Sequence, residues 1–226
     1  MSRTKTNLGS AVSILIGLAV SGQGLASNGY FAIGYGTKSK GMGGAGIAFP
    51  QDSLAAATKT AGQAFVGDRV DVGLNTLKTK ATETFLVGSA VVFEEELDNQ
   101  YQVFPHFGYN GMLDPFSSIG VSLYANDGIL SETPTSQLAL DQGFANFSYA
   151  RRIGEKSSLG GSILVAAQAF STNYDGSSAP ADSSFGYGLK LGWQGYLGGG
   201  VSLGATWQPK IRMTDLEKYS VWLADN

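Results

Sequence analysis

The sequence has no cysteine, a single histidine and few charges, and each shortage removes a class of protein. Without cysteine there is no disulfide framework, zinc ribbon or thiol nucleophile. His106 stands alone in VFPHFGY, so a histidine cluster for metal cannot form within one chain, and no serine or acid lies at a recognisable catalytic spacing. It is read as a strand residue packed in a lumen or among aromatics. Acidic residues outnumber basic ones, 18 to 15, which denies the broad positive field that nucleic-acid binding needs. The acidic run Glu94, Glu95, Glu96 and Asp98 is read as a solvated loop rather than a cation site. No enzyme activity, cofactor or metal is expected. Charged residues make up 15% of the chain, where a soluble domain carries about a quarter, so much of the surface is expected to face something other than water.

What is present begins with an export signal. Arg3 and Lys5 precede a short apolar run from Ala11 to Val20, and Gly24, Leu25 and Ala26 form a small-residue exit. The run falls short of the roughly 20 apolar residues of a membrane helix, and residues 1–26 read as a signal peptide. No later run is long enough for such a helix either.

The rest of the chain shows alternation with a period of two. In FGYGLKLGWQG, Phe185, Tyr187, Leu189, Leu191 and Trp193 share one face, opposite Gly186, Gly188, Lys190, Gly192 and Gln194. Val201, Leu203, Ala205 and Trp207 likewise oppose Ser202, Gly204, Thr206 and Gln208. SIGVSLYAN follows the pattern until Tyr124 breaks its small face, and FVGDRVDVGLNTL opens the series. About seven such segments follow residue 64, most of about 9 to 12 residues, the length a tilted strand needs to cross a bilayer. Strands of water-soluble sandwiches are shorter, commonly about 5 or 6 residues.

Connection lengths alternate as well. Short links fall at 112–117, 153–158 and 196–200, and long polar ones near 126–143 and 172–184, the asymmetry of outer-membrane barrels. The stretch 76–99 reads as a large external loop holding a short hairpin or a tip laid back on the wall; an additional membrane strand is the second reading, and it would invert the sidedness of every later strand. Single-chain barrels close with an even strand number, because lipid tolerates no open edge. An odd count ending at VWLADN therefore predicts that residues 64–226 hold only the first part of a barrel.

Between the signal and the first strand lies GYGTKSKGMGGAGIA, residues 34–48, followed by FPQDSLAAATKTAG. It lacks the glycine-lysine-serine order of a phosphate loop and opens no strand-helix unit. With SNGYF before it and GQAFVGDRVDVG after it, this block resembles the FadL-type transporters of long-chain fatty acids and aromatic hydrocarbons in Gram-negative outer membranes. The likeness resumes in VFPHFGYN, GVSLYANDG, DSSFGYGLKLGW and WQPKIRMTDLEKYSVWLADN, and covers the first half of a family member.

The resemblance implies an all-β fold: a transmembrane antiparallel β-barrel, fourteen-stranded in the family with about seven strands here, and a glycine-rich hatch, residues 27–63, inside the lumen. It implies passive uptake of apolar ligands at the outer face, an internal apolar pocket, and release sideways through a gap near the third strand. It also implies outer-membrane lipid and hydrophobic small molecules as partners, assembly by the outer-membrane insertion machinery, and a monomer when full length. A structural or adhesive barrel with no transported ligand, or a non-functional truncated copy, is the alternative.

Gly41, Gly43, Gly44 and Gly46 suit a backbone threaded where side chains would collide. Asp52 or Ser53 is expected to cap a short alanine helix from Leu54 to Ala57. Where the family pattern has asparagine, proline and alanine after that helix, this chain has Lys59, Thr60 and Ala61, then Gly62. Ligand contacts are expected from Phe31, Ile33, Met42, Ile47 and Phe49 of the hatch and from Phe104, Leu164 and Phe170 of the wall, with Arg69 and Lys190 available to a carboxylate.

Overall fold

The computed structural model describes residues 32–87, 90–126, 129–132, 136–174 and 177–219. The signal peptide and Phe31 lie outside them.

Every strand pairing among the described residues is antiparallel. Seven long strands follow one another around the sheet: β1 (Arg69–Val87), β2 (Ala90–Asp114), a third strand in two pieces, β3 (Ser117–Ala125) and β4 (Ile129–Glu132), then β5 (Ser136–Ile153), β6 (Ser157–Tyr174), β7 (Ser177–Gly198) and β8 (Val201–Trp207). A two-residue piece, β9 (Arg212–Met213), pairs with β7 at Gly186 and Tyr187 and continues the seventh strand past a break at 208–211. The N-terminal segment lies on the concave side as α1 (Thr37–Gly41), α2 (Ala55–Thr58) and a 3-10 turn, Thr60–Phe65. This is part of a membrane β-barrel with its hatch in place.

The packing is inverted relative to a water-soluble protein. Val72, Leu74, Phe185, Tyr187, Leu189 and Trp207 are all more than half exposed on the convex face. The concave face buries Asn110, Ser122, Asn146, Ser158 and Gln194 against the hatch, and Ser118 and Ser184 are buried on it as well. Apolar side chains outside and small polar ones inside, alternating along each strand, are what a bilayer solvent requires. The hatch itself contributes Leu54, Ala56, Ala57, Ala61 and Ala64, narrow residues that fill the lumen.

Two sequence expectations change. The stretch 76–99 forms neither an external loop nor an extra membrane strand: β1 and β2 stay paired from Arg69↔Asn110 to Val87↔Ala90, with register shifts near Thr79/Ala81 and Phe85/Leu86. It is the upper part of one long hairpin, so the sidedness of later strands is unchanged. The polar stretches at 126–143 and 172–184 are likewise mostly ladder, with Ser136↔Tyr174 and Tyr174↔Ser177 paired. The strands run to 19, 25, 18, 18 and 22 residues in β1, β2, β5, β6 and β7, well past the roughly 9 to 11 that cross hydrocarbon.

The short turns fall where expected. Asp114 accepts from the amides of Phe116 and Ser117 at 2.7 and 2.9 Å between β2 and β3, and Gly199, with φ 62°, turns β7 into β8.

Candidate functional site: a hatch-bounded cavity in the sheet lumen

The hatch is held to the wall largely through its own backbone carbonyls. Ser158 donates to the Ala61 carbonyl at 2.7 Å, Asn146 to that of Ala56 at 3.2 Å, Arg152 to that of Ala64 at 3.0 Å and Ser202 to that of Ala48 at 2.8 Å. Thr60 and Ser162 share a hydroxyl contact at 3.0 Å. Lys190 donates to the carbonyl of Ala57, in the last turn of α2. Most are neutral bonds of about 1 kcal/mol each, strong together and weak singly.

One end of the hatch is held by charge. Asp71 accepts from the Ser53 amide at 2.9 Å, the Ser53 hydroxyl at 2.7 Å and Arg69 through two nitrogens, and Arg69 also reaches the Gln51 carbonyl at 3.2 Å. Ser53 therefore docks to the wall instead of capping α2, and Asp52 accepts from the Leu54 amide at 3.1 Å, one residue before the helix. Burial, and then the charge of Asp71, push the Asp52 carboxyl above the ordinary carboxylate range. Asp71→Ala should loosen this end by about 2 kcal/mol, since charged hydrogen bonds are lost. Hydrogen exchange at the Ala55, Ala57 and Lys59 amides should then accelerate by more than tenfold; unchanged protection would show that Asp71 does not hold the hatch.

The glycines of the hatch play a different part from the one expected. Gly41 and Gly43 have open space where a side chain would sit, and Gly46 meets only ordinary contact. Gly43 and Gly44 are needed for their backbone, with φ of 64° and 80°. Gly62 does sit tight against Pro50. The crowding lies in the wall: side chains at Gly108, Gly120, Gly160, Gly192 and Gly204 would run into Ser53, Gln63, Ala61, Lys59 and Ile47. At the departure from the family pattern, Lys59 is buried to 1% exposure, and its ammonium has no hydrogen-bond partner among the described residues.

Above the hatch a cavity of 1090 Å³ opens between the hatch loop and the wall. Ile33, Tyr35 and Ile47 line it from the hatch; Tyr124, Phe144, Leu164, Ala166 and Lys190 line it from β3, β5, β6 and β7. Pro209, Ile211 and Met213 close it from the interrupted seventh strand. A polar chain crosses its wall: Tyr35 donates to Asn126 at 2.7 Å, Asn126 to Gln142 at 2.8 Å and Gln142 to Gln168 at 3.0 Å.

Of the expected ligand contacts, Ile33, Ile47, Leu164 and Lys190 come together in this cavity. Met42 and Phe49 lie in a separate narrow cleft with Pro50 and Gln51, and Phe104 is buried on β2. Phe170 packs edge-on to Tyr219 at 4.9 Å, and Arg69 is engaged by Asp71. Tyr35, Tyr124 and Phe144 were not anticipated. The signal for two of them was present: Tyr124 and Phe144 are bulky residues on faces otherwise small and polar. His106 is inward and buried, next to Asn75 at 3.3 Å. Among the described residues no cluster of metal-ligating side chains forms.

The β2–β3 ladder runs from Asp114↔Ser117 to Phe107↔Leu123; above that, β2 stays with β1, while β4 pairs with β5 from Ile129↔Leu140. Asn126, which holds Tyr35, directly follows the end of β3.

Solved structures that share this fold include the following three. The CymD monoaromatic hydrocarbon channel is 18% identical with a TM-score of 0.63, covering 80% of this chain and 54% of its own. The TodX deltaS2S3 mutant monoaromatic hydrocarbon channel is 17% identical with a TM-score of 0.68, covering 81% and 56%. A Pseudomonas aeruginosa FadL homologue is 13% identical with a TM-score of 0.60, covering 85% and 57%. The chain thus spans a little over half the length of each, and at these identities the likeness is one of fold. No family model and no curated protein matches the sequence.

Proposed function

We propose that this chain forms part of a passive route for hydrophobic molecules through the outer membrane of a Gram-negative bacterium. The observation that carries the reading is the 1090 Å³ cavity, bounded on one side by a hatch and on the other by a membrane sheet. A molecule in that cavity meets apolar surface from Leu164, Ala166, Ile33 and Ile47, and no covalent step or energy source is needed to hold it.

In this reading the hatch controls passage. Lys190 holds the Ala57 carbonyl, and a ligand carboxylate arriving in the cavity would compete for the same ammonium. A carboxylate adds an opposite charge that a neutral carbonyl lacks, so the exchange favours the ligand and frees α2. Displacing Tyr35 from Asn126 would then unlatch the hatch loop from the end of β3, and sideways release into the membrane would follow there.

The test is uptake into proteoliposomes. Saturable entry of oleate or toluene above that of protein-free liposomes is expected, and Ala166→Trp, which fills the cavity floor, should abolish the excess. Uptake equal to that of empty liposomes, or unaffected by Ala166→Trp, would leave a barrel with a structural role instead.

A further inference from the structure

The cavity wall divides into three zones along the pairing register. Tyr35, Tyr124 and Phe144 form a row of rings, with centroids 4.2 Å apart for the first pair and 5.3 Å apart and nearly parallel for the second. The register sets Tyr124 opposite Phe144, Phe144 opposite Ala166 and Ala166 opposite Gly186. The next inward row down holds Leu164 and Gly188, with Ile211 packed over the glycine, and the row below that holds Ser162 and Lys190. Rings, an apolar floor and one cation therefore succeed each other down the lumen.

Resting on the reading of this cavity as the ligand site, we propose that its substrate class is the arylalkanoic acids: an aryl group joined by a short alkyl linker to a carboxylate. Four residues separate the ring row from the Lys190 row, about 13 Å between Cα rows at about 3.3 Å per residue. A phenyl ring, three methylenes and a carboxylate span about 10 Å, and the lysine side chain covers the remainder. The ring row ends on Phe144, so a ligand aryl group extends an existing stack. Stacking of this kind adds about 2- to 12-fold to affinity beyond area burial, a gain an alkyl chain of the same length does not receive. Leu164, Ala166 and Ile211 give the linker an apolar passage. Lys190, buried to 3% exposure, selects for an anion over a neutral hydrocarbon.

The experiment is calorimetric binding to the full chain in detergent micelles, using 4-phenylbutyrate, nonanoate and 4-phenylbutan-1-ol. 4-Phenylbutyrate should bind most tightly. Lys190→Met should lower the preference for 4-phenylbutyrate over the alcohol by about tenfold or more. Phe144→Leu should erase the preference of about fivefold for 4-phenylbutyrate over nonanoate. Equal binding of all three probes, or a Lys190→Met loss common to acid and alcohol, would overturn the assignment and leave the apolar route standing. Absence of binding by every probe would overturn both.

Discussion

Replacing Gly160 by leucine is expected to expel the hatch while leaving the sheet intact. Gly160 lies on β6, facing the lumen, and a Cβ there would stand 2.6 Å from the Ala61 nitrogen and 2.7 Å from the Thr60 carbonyl carbon. Both are backbone atoms, which cannot swing aside as a side-chain end can. Overpacking of this kind costs about 1 to 3 kcal/mol in a core that can adjust, and this one meets a rigid turn. The displacement also breaks the Ser158–Ala61 and Thr60–Ser162 contacts, worth about 1 kcal/mol each. The ladder survives, because Gly160 needs no left-handed conformation and its partners Ala150 and Gly192 keep their backbone bonds. Limited trypsin digestion of the reconstituted protein reads the outcome. Lys59, buried in the native state, should resist cleavage in the parent and be cut rapidly in Gly160→Leu. Gly161→Ala, one position along and meeting only ordinary contact with Leu191 and the Lys190 carbonyl, is the control and should behave as the parent. A Gly160→Leu protein that keeps Lys59 protected would mean that the wall does not grip the hatch as described.

Lys59 gives the second large effect. Its ammonium is buried with no hydrogen-bond partner among the described residues, and burial pushes its pKa from 10.5 down to about 8. Below pH 8 both the folded and the unfolded chain carry the proton, and the folded state bears the full penalty. Between about pH 8 and 10.5 the folded state has released the proton while the unfolded state still holds it, so stability rises with pH across this window. A shift of this size corresponds to on the order of 3 kcal/mol. Lys59→Met removes the charge and keeps most of the volume, so it should stabilise the protein by about that amount near pH 7 and by almost nothing above the window. Urea denaturation in micelles at about pH 7 and about pH 10.5 measures both values. A destabilising Lys59→Met, or a gain independent of pH, would show that the ammonium finds a partner.

Lys59 also shows how far the sequence could be read. Its departure from the asparagine of the family pattern was visible in the letters; that its side chain lies buried against Gly192 and Gly204 was not, because strand partners of the hatch are set by tertiary register. The alternation of Phe185 to Trp193 and of Val201 to Trp207 was enough to identify strands, their bulky outward face and the tight turns between them. The upper halves of β1, β2, β5 and β7 were missed as strands for a physical reason. Above the hydrocarbon both faces of a strand meet water or protein, so a stretch such as ETFLVGSAVVFEEELD loses the alternation that marks its lower half. In the cavity, Leu164 and Lys190 were recoverable from face assignment alone. Phe49 and Phe170 were plausible only as apolar residues near the right height, and other packing claimed them. Tyr35 could not be placed by period, since it lies in a loop.

All of these expectations depend on lipid being the solvent of the convex face. Trp193 and Trp207 both stand on that face, so a Trp222→Phe protein reports from them alone. In liposomes containing lipids brominated along the acyl chain, their fluorescence should be strongly quenched, while aqueous iodide should have little effect. Quenching by iodide with no response to the brominated lipid would place the bulky face in water and contradict the account.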